Sequence, residues 1–239
     1  MSSSSMVASQ PIPARSHLAV APWWHTAVVF LVLMGFSLIG GLTVGLNNGA
    51  FARIPQYALV IGMEWALAAL IWHAARKRGV SVRDLVGGRW ARPVDVLRDI
   101  GFAIGFLIVG ALMLNGLGYL IHARTPQALR GLLPQTHTEM ALWVVMSLTA
   151  GFCEELIFRG YFHRQFAALT QSVAGGIVLQ GVAFGAAHGY QGIKMMFLIA
   201  VYGSLFGLLA QWRHSLRPGM ITHGVQDTLG GLLARYLMR

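Results

Sequence analysis

The sequence predicts an all-α polytopic transmembrane helical bundle of about seven or eight spans with an interfacial amphipathic segment, and three observations support this. First, only 11% of the 239 residues are charged and 56% are hydrophobic, whereas a soluble domain carries about a quarter charged residues. Second, residues 16–52, 100–123 and 165–193 contain no Lys, Arg, Asp or Glu, and each run exceeds the roughly 20 residues a helix needs to cross a hydrocarbon core. Third, these runs are continuous and do not alternate at every second residue, which excludes a membrane β-barrel.

Residues 1–22 are rich in Ser and Pro, with one Arg and no apolar stretch before Trp23. They read as a disordered tail and not as a cleaved signal peptide. Spans follow at 23–46, 55–75, 99–121, 138–160, 173–190, 193–212 and 216–237. Between the second and third, residues 76–98 hold seven of the eighteen basic residues, interleaved with Val, Leu and Trp. An interfacial segment on the cytoplasmic face has this composition. Seven crossings would put the C-terminus outside, against the preference of Arg235 and Arg239, so an eighth crossing or a span that only dips in stays open.

The net charge of +10 is spread through the gaps between apolar runs, which argues for membrane flanks and against a nucleic-acid partner. Cys153 is the single cysteine, so one chain has neither a disulfide framework nor a cysteine zinc cluster. Sixteen Arg against two Lys suggest a GC-rich genome and hence a bacterial inner membrane. Gly101/Gly105, Gly181/Gly185/Gly189 and Gly203/Gly207 recur at every fourth position, a spacing that lets membrane helices approach closely.

Chemistry concentrates near the C-terminus. Burying an ionised side chain at the centre of a membrane helix costs about 2.5–3.5 kcal/mol, yet Glu154, Glu155 and Asp227 lie in apolar stretches. Glu155 and Arg159 stand at i, i+4 and can pair on one helix face. Glu154, rotated by about 100°, is left to face a cavity. Phe184 and His188, then His223 and Asp227, repeat the same spacing. One Glu and two His from three helices could deprotonate a water molecule, or bind a metal through nitrogen and carboxylate oxygen. Cys153 beside Glu154 lacks a basic neighbour that would make it a nucleophile. Glu64, in the middle of the second span, reads as a neutral carboxyl bonded to a neighbouring helix or as a fourth polar contributor to the cavity.

At these residues the chain resembles the CPBP family of intramembrane proteases, which includes the type II CAAX prenyl endopeptidases and the Abi proteins. Its motifs EExxxR, FxxxH and HxxxN or HxxxD stand here, in order, as Glu154, Glu155 and Arg159; Phe184 and His188; His223 and Asp227. The resemblance implies hydrolysis of a peptide bond in a membrane-associated protein or peptide by residues 138–239, with residues 23–137 as accompanying spans. It implies that Glu154 and His188 activate water, that Glu155, Arg159 and Phe184 support the site, and that His223 with Asp227 stabilises the oxyanion or shares a metal. Relatives are described both as metalloproteases and as metal-free, so a divalent metal such as zinc on Glu154, His188 and His223 is left open. Asp227 departs from the commoner Asn: a carboxylate cannot donate to an oxyanion, so its expected task is to orient His223 or help hold a cation.

HExxH, GxGD and GxSG motifs are absent. The rival readings are a proton- or ion-coupled transporter using Glu64, Glu154, Glu155 and Asp227 as a relay, and a silent membrane scaffold; no internal repeat supports the transporter. Straight antiparallel fourth and fifth spans would set Glu154 and His188 more than ~10 Å apart in depth. The enzyme reading therefore needs a tilted helix, or residues 162–169 along the interface with a fifth helix that ends midway.

Overall fold

A computed structural model describes residues 19–46, 52–124 and 127–237. Among them there is no strand, and the helices are α1 (Trp23–Leu46), α2 (Arg53–Arg76), α3 (Val82–Val86), α4 (Pro93–Leu120), α5 (Gln127–Leu132), α6 (His137–Glu154), α7 (His163–Thr170), α8 (Val173–Ala187), α9 (Ile193–Arg213) and α10 (Arg217–Leu237). A π-helical segment, Glu155–Phe162, joins α6 to α7 without a break. Within the described residues five helical stretches are long and apolar enough to cross a membrane: Trp23–Leu42, Arg53–Arg76, Pro93–Leu120, His137–Thr170 and Ile193–Arg213. The shorter apolar α8 and the more polar α10 complete the bundle.

The expected tail 1–22 falls mostly outside the described residues, but its last four residues are packed. The amides of Val20 and Ala21 donate to Gln165 Oε1 at 2.7 and 3.2 Å, and both residues are buried. This anchors the start of α1 beside α7.

The basic segment 76–98 is folded rather than merely adsorbed. Ser81 caps α3, its hydroxyl accepting from the Asp84 amide at 3.2 Å while Asp84 Oδ2 accepts from the Ser81 amide at 2.9 Å. The hydroxyl and amide of Ser81 hold the Asp84 carboxyl below the usual carboxylate range. Leu85 is buried in the main core with Leu156 and Tyr161. Gly87 ends the helix at φ +98°, with Ser215 Cα 2.7 Å from where a Cβ would stand, so only glycine fits. Arg164 donates to the Asp84 carbonyl at 2.5 Å, Arg217 to the Gly87 carbonyl at 3.3 Å, and the Leu216 amide to the Val86 carbonyl at 2.9 Å. The basic segment therefore clamps the ends of α7 and α10.

Residues 162–169 continue the helix of the fourth span, with Phe162 and Phe166 stacked at 5.3 Å and 2° and Phe162, Ala167 and Ala168 buried. The helix stops where Gln171 takes a left-handed conformation at φ 51° and Ser172 caps α8, its hydroxyl accepting from the Gly175 amide at 3.2 Å. α8 then runs only 15 residues, about 22 Å at 1.5 Å per residue, against ~30 Å of hydrocarbon. It is thus shorter than a full crossing.

The small-residue faces divide. A Cβ added at Gly181, Gly185, Gly203 or Gly207 would strike the partner helix of the α8–α9 pair, whereas at Gly101 and Gly105 it would meet nothing within 4 Å. The α4 pair therefore meets no neighbouring helix among the described residues. A close approach absent from the repeating pattern is Gly151 on α6, where a Cβ would stand 2.7 Å from Gly224 N and 2.9 Å from Met220 O of α10. Backbone atoms cannot swing aside as a side chain can. Gly151→Ala is expected to destabilise the detergent-solubilised protein by about 1–3 kcal/mol, read by thermal unfolding, while Gly105→Ala leaves the midpoint unchanged or slightly raised.

Candidate active site

The α7–α8 hairpin sets the depth of the site. Glu154 precedes Thr170, the end of α7, by 16 residues and His188 follows Val173, the start of α8, by 15. The return arm thus brings His188 back to the level of Glu154. The depth mismatch expected from two full crossings disappears because Glu154 and His188 stand at nearly equal numbers of residues from the turn between the arms.

The base of the site is the Glu155–Arg159 pair. Arg159 Nη1 donates to Glu155 Oε1 at 2.8 Å, and the two side chains are 0% and 1% exposed. Nη2 donates to the Gly203 carbonyl at 3.2 Å, and the guanidinium carbon lies 4.3 Å from the Phe184 ring and 4.8 Å from the Phe206 ring. Ring faces carry negative charge, so both aromatics help solvate the cation. All eight residues of the π segment, Glu155–Phe162, are buried. π geometry is uncommon and concentrates at functional sites.

His223 on α10 sits above this base. Its Nδ1 is 3.3 Å from Glu155 Oε1, and its Nε2 is 3.6 Å from Glu154 Oε2 and 3.4 Å from Asp227 Oδ2. Both ring nitrogens thus face carboxylates, and only a ring protonated on both can donate to each side. Trp143 Nε1 donates to the Asp227 carbonyl at 2.8 Å, tying this turn of α10 to α6. Burial is graded. Glu155, Arg159 and His223 are buried, whereas Glu154, His188 and Asp227 are half-buried. A fixed charged floor with a reachable rim can hold a polar substrate group and a water molecule.

His188 is the C-cap of α8 and its Nδ1 lies 2.8 Å from the Phe184 carbonyl. A carbonyl only accepts, so Nδ1 carries the proton and Nε2 has the lone pair in the neutral ring. Its ring packs on Phe184 with centroids 4.7 Å apart, and Phe184 packs on His223 at 6.0 Å. Phe184 therefore separates and orients the two imidazoles. The structure brings Glu154, Glu155, Arg159, His223 and Asp227 into direct contact, while His188 joins them through Phe184. Among the described residues no group of three or more His, Cys, Asp and Glu side chains is arranged to hold a metal ion. Glu154, His188 and His223 do not form such a set, because His223 turns both nitrogens to carboxylates and His188 has no carboxylate within 4.0 Å.

Three supports are missing from the motif reading. Gln180 is fully buried and donates to the same Gly203 carbonyl as Arg159, at 2.8 Å. Tyr202 donates to Gln226 Oε1 at 2.5 Å, linking α9 to α10 beside His223. Glu64 of α2 is buried, with its Oε2 unpartnered among the described residues. An uncharged amide or phenol in an apolar run gives no strong sequence signal; Glu64 gave one, but its neighbour on another helix could not be read.

Residues 136–229 match the family model described as Type II CAAX prenyl endopeptidase Rce1-like. The match covers about two-fifths of the chain, from the N-cap of α6 into α10, and contains every residue of the three motifs. No curated protein and no solved structure matches the chain.

Removing one member of a buried ion pair leaves the other uncompensated, at about 3–5 kcal/mol. Arg159→Met is expected to destabilise the protein by that amount, and adding Glu155→Gln to recover a large part of the loss, as measured by thermal unfolding in detergent.

Proposed function

Since residues 136–229 belong with the Rce1-like type II CAAX prenyl endopeptidases, we propose that this multi-pass membrane protein hydrolyses a peptide bond of a membrane-associated protein or peptide with a Glu/His-activated water. The observation that carries this reading is the contact of Glu154, His223 and Asp227 on a half-open rim above a buried ion pair.

In the proposed mechanism Glu154 is the general base and His188 Nε2 holds the water through a second hydrogen bond. The water oxygen bonds to the scissile carbonyl carbon, its proton passes to Glu154, and the carbonyl becomes an oxyanion. His223 Nε2–H donates to that oxyanion. Asp227, which only accepts, orients His223, and Glu155 does the same from the Nδ1 side. Collapse of the tetrahedral intermediate breaks the C–N bond as the proton on Glu154 transfers to the leaving nitrogen. The products are a carboxylic acid and an amine, which leave as carboxylate and ammonium once the acid's proton passes to the amine. No step requires a metal, and a divalent ion would have to recruit His188 and displace a carboxylate from His223.

The basic segment fits a cytoplasmic face, and the composition fits a bacterial inner membrane. Prenylated tails, leader peptides and membrane-protein segments all meet the requirement for a substrate held at the bilayer. The test is to mix proteoliposomes of the purified protein with a membrane-protein fraction and identify newly formed termini by mass spectrometry, with Glu154→Gln as control. Cleavage should appear only with the wild-type protein; equal cleavage by Glu154→Gln would overturn the mechanism.

On a substrate so identified, Glu154→Gln, His188→Ala and His223→Ala are each expected to lower kcat by about 10²–10⁴-fold, with the protein still inserted and folded. Asp227→Asn keeps an acceptor for His223 and is expected to lose less than tenfold. Dialysis against a chelator should leave turnover unchanged. A loss reversed by zinc would instead establish metal dependence.

A further inference from the structure

The start of α4, the end of α9 and the start of α10 meet the basic segment around a polar pocket of about 130 Å³, whose lining shares no residue with the site described above. A single water molecule needs only ~15 Å³. The walls carry four guanidinium groups, those of Arg89, Arg98, Arg213 and Arg217, against two carboxyl groups, those of Asp95 and Asp99.

The carboxyl groups are already engaged. Asp99 is buried and accepts from Arg213 Nη2 at 3.2 Å and from Trp90 Nε1 at 2.8 Å. Asp95 lies 3.4 Å from Arg98 Nη2 and also accepts from the Ala91 and Arg92 amides at 3.2 and 3.0 Å. Among the described residues neither Arg89 nor Arg217 has a carboxylate within 4.0 Å. Arg217 is held by neutral groups alone: the Gly87 and Gly88 carbonyls, the Ser215 hydroxyl, and the Trp90 ring 5.1 Å away. Arg213 Nε is buried and has no acceptor among the described residues. Two surplus cations and an unanswered donor make the pocket complementary to a phosphate group, whose oxygens can accept from several guanidinium groups at once.

The surroundings favour a lipid as the carrier of that phosphate. Residues 98, 101, 105, 109 and 112 of α4 recur at three- and four-residue steps and so share one face. Arg98 lines the pocket, a Cβ at Gly101 or Gly105 would meet nothing within 4 Å, and Val109 and Leu112 are exposed. An open apolar strip thus leads away from the pocket along a helix whose membrane-spanning window is only 11% buried. Trp90 in the pocket wall and Trp212 beside Arg213 are exposed, as suits indole rings at headgroup depth. Trp212 packs edge-on against Phe102 with centroids 5.0 Å apart, and the Arg213 guanidinium carbon lies 4.2 Å from the same Phe102 ring. Polar and apolar recognition are therefore joined at one point of the surface.

We propose that this pocket binds the phosphate of an anionic phospholipid, with Arg89, Arg98, Arg213 and Arg217 around the headgroup and an acyl chain along the open glycine face of α4. The site is independent of the endopeptidase reading and needs no catalytic residue.

The test titrates the full chain in detergent micelles with dioleoylphosphatidylglycerol, dioleoylphosphatidylcholine or inorganic phosphate, reading the unfolding midpoint and, by native mass spectrometry, the lipid retained. The phosphatidylglycerol should raise the midpoint saturably and be retained, whereas the phosphatidylcholine, whose choline cancels the phosphate charge, should do neither. Arg89→Gln should weaken phosphatidylglycerol binding about fivefold and Arg89→Gln with Arg98→Gln about 20-fold, from the contribution of one basic residue at an anionic lipid surface. Arg89 makes no ion pair within the described residues, so its loss leaves the fold intact. Arg78→Gln removes the same charge from the basic segment outside the pocket and should bind as the wild type does. Equal effects of the two lipids, unchanged binding in the double variant, or equal weakening by Arg78→Gln would each overturn the proposal. Inorganic phosphate acting at the same concentrations as the phosphatidylglycerol would overturn the lipid assignment in favour of a free anion.

Discussion

A guanidinium buried away from bulk solvent is the constraint around which this bundle is organised. Arg159 is buried in the middle of a membrane protein, where an uncompensated charge costs several kcal/mol. Its partners come from every side: Glu155 from its own helix, the Gly203 carbonyl from α9, the Phe184 ring from α8 and the Phe206 ring from α9. Satisfying one cation therefore assembles three segments. It also places Glu155 Oε1 where it meets His223 from α10, so the fourth joins through the same carboxylate.

Floor and rim divide the work. The floor is a buried ion pair whose side chains are 0% and 1% exposed, with Arg159 Nε and Glu155 Oε2 unpartnered among the described residues, and it cannot reach a substrate. The rim residues Glu154, His188 and Asp227 are only half-buried, and their positions are inherited from the floor: Glu154 as its chain neighbour, Asp227 through the His223 turn, His188 through Phe184. A site prepared in this way does not have to reorganise its dipoles as charge develops on a substrate. This is why supporting residues such as Gln180, which donates to the Ile177 and Gly203 carbonyls, bear on the geometry of those that face the cavity.

Much of this was legible in the sequence, for identifiable reasons. Charge-free runs of membrane length and acids inside them are signals of composition and spacing, and the Glu155–Arg159 pair follows from four-residue periodicity alone. Helix continuity was not legible. Residues 160–173 contain His163, Arg164 and Gln165, which resemble an exit from the membrane; they remain helical because Gln165 turns inward to the start of α1 and Arg164 reaches α3. The π segment has no sequence signature. The glycine spacing was ambiguous, identical at Gly101/Gly105 and at Gly181/Gly185, and only the neighbouring helix distinguishes the empty face from the crowded one. Glu64 was visible as an anomaly, but the helix it packs against could not be read from spacing.

The near-equal arms of the α7–α8 hairpin also bear on how such a chain can vary. The height of His188 relative to Glu154 is a difference between two helix lengths measured from one turn. A residue gained or lost in either arm alone would displace one side by ~1.5 Å and swing it by ~100°, whereas changes in the turn at Gln171 move both arms as a unit. Insertions and deletions should therefore be tolerated among relatives at that bend and purged from the fifteen or so residues on each side, unless they come in compensating pairs.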